Sequence, residues 1–68
     1  MNEIDLIIEQ DGLLYPVEIK RTANPDLSMT KAFRQIPKEK RGLGAVVSLY
    51  KTHLPLSREV VNVPVYEI

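Results

Sequence analysis

Asp5, Glu18 and Lys20 have the types and the spacing for phosphate chemistry. Two carboxylates held close together bind a divalent cation, and an ammonium two residues beyond the second steadies negative charge developing on a phosphoryl group. Glu-x-Lys is a short signal that also describes an ordinary solvated strand face, where a Glu3–Lys20 or Asp5–Lys20 pair contributes at most about 1 kcal/mol. Its chemical content depends on whether the surrounding chain brings Asp5 opposite Glu18.

A hairpin does so. From Ile4 to Ile8 the alternation puts Glu3 and Asp5 on one face and Ile4, Leu6 and Ile8 on the other. In the following run Tyr15, Val17 and Ile19 point one way, and Pro16, Glu18 and Lys20 the other. Asp11-Gly12 between the runs signals a two-residue turn, because both central positions need positive φ. Gln10 then faces Leu13, Asp5 faces Glu18 and Glu3 faces Lys20, with opposed Cβ atoms roughly 4.5–5.5 Å apart. A three-residue loop with a bulge shifts this register by one. Carboxylates that close repel unless a cation lies between them or one keeps its proton. Pro16 forfeits a ladder bond, which favours an edge position or a locally unpaired stretch, and the charged side is expected to be the open side.

Downstream, Arg21-Thr22-Ala23-Asn24-Pro25 leads into a helix capped by Asn24 or Asp26. Between Leu27 and Ile36 the residues Met29, Ala32, Phe33 and Ile36 recur at spacings of three and four, a core-facing stripe that Pro37 ends. Lys31, Arg34, Lys38, Lys40 and Arg41 then crowd one interval against the single acid Glu39, in a chain of net charge 0. With Arg21 and Lys20 they frame the acidic pair in positive charge, as contacts to a nucleic-acid backbone require, although a solvated loop has the same composition. Leu43–Tyr50 is small and apolar, suited to a strand covered on both faces and parallel to the one carrying Glu18. Lys51–Arg58 reads as connection, with His53 an ordinary loop histidine lacking a second ligand at metal spacing. Val60–Tyr66 reads as a last strand, which Pro64 places at an edge.

Glu3-Ile4-Asp5-Leu6-Ile7-Ile8-Glu9 followed by Gly12-Leu13-Leu14-Tyr15-Pro16-Val17-Glu18-Ile19-Lys20 resembles the core of the PD-(D/E)XK nucleases. More narrowly, it is similar to the nuclease-like domain at the C-terminal end of predicted bacterial and archaeal AAA-type ATPases. Pro25-Asp26-Leu27, Gly44-Ala45-Val46-Val47 and Val63-Pro64-Val65 fit the same domain, so the resemblance spans most of the chain. It implies that Asp5 and Glu18 ligate Mg²⁺ or Mn²⁺, that the Ile19 carbonyl adds a third ligand, and that Lys20 positions water or steadies charge. DNA is the implied substrate, and an upstream ATPase module the implied neighbour. Ile4 stands where the family has a proline before the aspartate. The helix that usually precedes the hairpin, often with another acid, has only Met1 and Asn2 in its place. No Gly-rich loop ending in Gly-Lys-Ser/Thr occurs, so ATP hydrolysis is not expected of these residues.

Sixty-eight residues make one domain, 1–68, whose core is marginal without a staple, since such chains bury only about 60% of their unfolded surface. There is no cysteine to supply a disulfide, no signal peptide and no apolar run of membrane-spanning length. A cytoplasmic location is therefore expected, and a homo-oligomer is expected because the hairpin's apolar face (Ile4, Leu6, Ile8, Val17, Ile19) needs more cover than one short helix supplies. The expected fold is α/β: a small mixed sheet of about four strands with one main helix, a truncated restriction-endonuclease-like core forming the C-terminal fragment of a larger ATPase-type protein. Two functions follow, a Mg²⁺-dependent nuclease site or a catalytically inactive oligomerisation or partner-docking module on the same scaffold.

Overall fold

The computed structural model describes residues 3–67, and Met1 and Asn2, ahead of the first strand, lie outside them. Asp11 (φ 55°) and Gly12 (φ 81°) both take positive φ, so the turn is the two-residue one that this pair favours. It joins β1 (Leu6–Gln10) to β2 (Leu13–Ile19) with Gln10 opposite Leu13 and Leu6 opposite Val17. The bulged register is thereby excluded.

β3 (Gly44–Ser48), β4 (Leu54–Pro55) and β5 (Val60–Pro64) complete a five-stranded sheet of order β1-β2-β3-β5-β4. The three central strands are mutually parallel, while β1 and β4 pair antiparallel at the edges. β4 is the extra strand, formed inside the segment expected to be plain connection. Its two residues reach only Asn62 and Val61, so β5 lies inside the sheet and not at the edge that Pro64 suggested. Pro64 is tolerated because β4 stops short of it, leaving nothing on that side to bond. Pro16 is accommodated the same way. The β2–β3 ladder runs from Val17 to Ile19, is broken at Pro16, and resumes only as a bridge between Leu14 and Arg41, where the Gly42 N–H reaches the Leu14 carbonyl at 2.9 Å.

The single longer helical element, Leu27–Gln35, is a 3₁₀ segment and not an α-helix. It kinks at Thr30 (φ −111°, ψ 17°), whose hydroxyl donates to the Leu27 carbonyl at 2.8 Å. This local bond competes with a continuous helical ladder. Asp26, one of the two expected caps, closes its start by accepting the Ser28 N–H at 2.8 Å. The apolar stripe nevertheless does its packing: Ala32, Phe33 and Ile36 are buried, and Phe33 joins Val46 and Val60 as the core. Gly44 permits the approach, since a Cβ there would lie 2.7 Å from the Phe33 ring.

The register settles which residues share each sheet face. Pro16, Glu18, Gly44, Val46, Ser48, Val60 and Asn62 face the 3₁₀ segment, so the charged face expected to be open is largely the covered one. Glu18 is only 6% exposed, in a row with fully buried Val46 and Asn62. The Asn62 Oδ1 accepts from the Ser48 hydroxyl at 2.5 Å, and its Nδ2 donates to the Thr52 carbonyl at 3.0 Å. The opposite face carries Leu6, Ile8, Tyr15, Val17, Ile19, Ala45, Val47, Val61 and Val63, and no strand residue on it is charged. Ile4, expected on that apolar face, instead packs against the Phe33–Val46–Val60 core. The molecule is a two-layer slab measuring 30 × 27 × 19 Å.

Candidate active site

The turn fixes the site. Counting back from Leu6 opposite Val17 puts Asp5 opposite Glu18, as the two-residue loop requires. The strand ends at Leu6 because Asp5 diverts the ladder through side chains: its N–H donates to Glu18 Oε1 at 3.2 Å, and its Oδ2 accepts the Ile19 N–H at 2.9 Å. A carboxylate thus stands where a backbone carbonyl would continue the sheet. Beyond β2, the Lys20 N–H donates to the Val47 carbonyl at 2.9 Å, so β3 anchors the lysine backbone. The Lys20 Nζ lies 3.5 Å from Glu18 Oε2, and this is the ion pair formed in place of one to Glu3 or Asp5.

Asp5, Glu18 and Lys20 line one cavity of about 250 Å³ between the hairpin end and the 3₁₀ segment. Glu3, Ser28 and Lys31 line it too. Glu3 lies on the face that the alternation predicts, although the sequence gives it no role in the site, and Ser28 carries no signal there beyond following a cap residue. The Asp26 carboxyl, held below its ordinary range by hydrogen bonds from the Ser28 hydroxyl and then the Ser28 N–H, fixes the segment that closes this wall.

The basic residues divide. Lys31 joins Lys20 at the acidic cavity, whereas Lys38 and Arg41 meet Arg58 around a separate cavity of about 240 Å³. Arg41 also donates from Nη1 to the Phe33 carbonyl at 3.2 Å, which ties it to the core, and Arg34 lines a third cavity beside it. Arg21 and Lys40 are exposed and line none of these cavities. His53 is an exposed residue of the loop before β4.

A hard cation takes oxygen ligands and keeps several waters, and the acidic cavity has both the oxygens and the room. Among the described residues no three acids, histidines or cysteines converge closely enough to hold a metal by themselves. Side-chain ligation of any ion there would rest on Asp5 and Glu18, with backbone oxygen, water and substrate completing its shell.

The fold and this cavity define a small mixed α/β domain with an acid-and-lysine cleft at the end of a hairpin. The chain belongs to DUF4143, a domain family of unknown function whose model matches residues 1–68, and such domains typically stand at the C-terminus of AAA-type ATPases. No curated protein and no solved structure matches the chain. No helix among the described residues is long and apolar enough to cross a membrane.

Proposed function

We propose that this domain is a PD-(D/E)XK-type, Mg²⁺- or Mn²⁺-dependent nuclease unit acting on DNA phosphodiesters, working as the C-terminal part of an AAA-type ATPase on a truncated restriction-endonuclease-like core. The observation that supports it is the placement of Asp5 and Glu18 at facing positions of one cavity that Lys20 also lines. Bound there, a divalent cation supplies an activated water and neutralises phosphoryl oxygens. Asp5 and Glu18 would hold it, with the Ile19 carbonyl as a third donor. Lys20 would meet the negative charge that builds on the phosphoryl oxygens as the attacking oxygen bonds to phosphorus and the bond to the leaving oxygen breaks. Lys31, across the cavity, would receive the adjoining phosphate, and Arg21, Arg34, Lys38, Lys40 and Arg41 would contribute contacts to the strand beyond it.

Calorimetric titration with Mn²⁺ tests this reading. Heat from the wild-type chain that disappears in Asp5→Asn supports it, because the Asn carbonyl can still accept the Ile19 N–H and keep the local fold. Identical titrations of the two proteins refute it.

A further inference from the structure

We infer that the two cavities meeting at Arg41 form a nucleotide site, with the phosphate held by Lys38, Arg41 and Arg58 and the base received beside Phe33. This site needs neither a metal nor the acidic pair. Glu18 and Lys20 stand at the C-terminal end of β2, whereas Arg41 and Arg58 lie ahead of β3 and β5, at the other end of the parallel strands. Arg58 has no part in the proposed chemistry, and Lys38 and Arg41 have only a general share in holding a strand there.

Charge selects the phosphate. Lys38, Arg41 and Arg58 line the cavity of about 240 Å³, with Glu59 as its single acid. Among the described residues none of these three cations forms an ion pair, so the cavity keeps a surplus of positive charge that a bound anion relieves. Arg41 is half-buried, and the bond from its Nη1 to the Phe33 carbonyl at 3.2 Å holds the guanidinium in place. Its remaining N–H donors suit the bidentate grip that arginine takes on phosphate.

The neighbouring cavity selects a base. It measures about 180 Å³, shares Arg41 and Glu59 with the first, and adds Arg34. Leu27, Phe33 and Val60 give it apolar walls, and Thr30 and Ser57 give it hydroxyls. The Thr30 hydroxyl donates to the Leu27 carbonyl at 2.8 Å, which leaves its oxygen to accept. The Ser57 oxygen accepts the Glu59 N–H at 3.0 Å, which leaves its proton to donate. Apolar walls with an acceptor, a donor and arginines beside them match a flat heterocycle with polar edges. Neither cavity alone reaches the roughly 300 Å³ at which small-molecule sites begin, and together they pass it.

Lys40 supplies the control, because it is an exposed cation of the same region that lines neither cavity. Calorimetric titration in EDTA is expected to show adenosine monophosphate binding about ten-fold tighter than ribose phosphate, the difference being the base. Arg58→Gln should weaken adenosine monophosphate by about ten-fold and Lys40→Gln should leave it unchanged, with circular dichroism confirming that both variants fold. Lys38→Gln serves if Arg58→Gln unfolds. Asp5→Asn should bind as wild type does, so the nucleotide site can stand or fall apart from the metal reading. A free nucleotide and one unit of a nucleic-acid strand offer the same phosphate and base, and a short oligoadenylate separates them: tighter binding of the oligomer assigns the site to a strand, equal binding to the free nucleotide. Absence of binding to both, equal affinity for ribose phosphate and adenosine monophosphate, or equal losses in Arg58→Gln and Lys40→Gln would each overturn the assignment.

Discussion

Asp5 and Glu18 are joined through each other's strands: the Asp5 amide donates to a Glu18 carboxylate oxygen at 3.2 Å, while an Asp5 oxygen accepts from the amide next to Glu18 at 2.9 Å. The acids therefore pin the hairpin end as well as line the cavity, and one oxygen of each is committed to backbone. Substitutions at either position must be judged on folding and on ligand binding separately.

Asp5→Ala removes the acceptor of the Ile19 N–H, whereas Asp5→Asn keeps one. A melting temperature lower for Asp5→Ala than for Asp5→Asn, with Mn²⁺ heat lost in both, is the expected pattern. A melt that ranks the two variants equally would deny the structural half of this assignment.

Lys20→Met leaves the anchoring N–H bond to Val47 in place and removes the ammonium beside Glu18. On the proposed function, metal affinity holds or rises as Glu18 loses its competitor, while phosphodiester cleavage falls by about 10²-fold or more. Cleavage of a plasmid at saturating Mn²⁺ reads the second effect, and calorimetry the first.

Phe33 is the side chain that holds the 3₁₀ segment to the sheet. Phe33→Ala is expected to cost about 3–5 kcal/mol, most of what a domain of this size has, and to leave the chain largely unfolded in urea titration. A smaller loss follows from Asn62→Ala, about 1–3 kcal/mol, because the Ser48 hydroxyl and the Thr52 carbonyl lose their partner.

The Asp26 carboxyl has its affinity for protons lowered in the fold by the hydrogen bonds from Ser28. A group depressed on folding stabilises above its unfolded pKa, about 3.9, and loses that contribution as pH falls through the lower folded value. Wild type should therefore lose stability over that acidic window more steeply than Asp26→Asn, an outcome read by melting both proteins from pH 5 to pH 2.

The hairpin and its register were legible because they rest on local chemistry. Asp11-Gly12 dictates the turn, the turn dictates the register, and the register places Asp5 against Glu18. Alternation likewise separated the faces of β2, and the Met29-Ala32-Phe33-Ile36 stripe located the covering element. Which face that element covers was not local information. Glu18 looked like a surface residue until the β2–β3–β5 rows were known, since only they reveal it beside Val46 and Asn62. The kink at Thr30 was hidden for a different reason, a hydroxyl-to-carbonyl bond that periodicity does not register. Pro64 misled because a proline reports a missing bond, and here the missing bond falls beyond the end of a two-residue neighbour.

The gap in the ladder at Pro16 divides β2 into mechanically separate lengths. Past the proline the strand is stitched to β3 at three consecutive positions, whereas the turn-side stretch is held there by the lone Leu14–Arg41 bridge. Amide deuteration should accordingly sweep the hairpin tip first and leave the Val17–Ile19 end protected, so the tip can breathe while the end bearing Glu18 stays still.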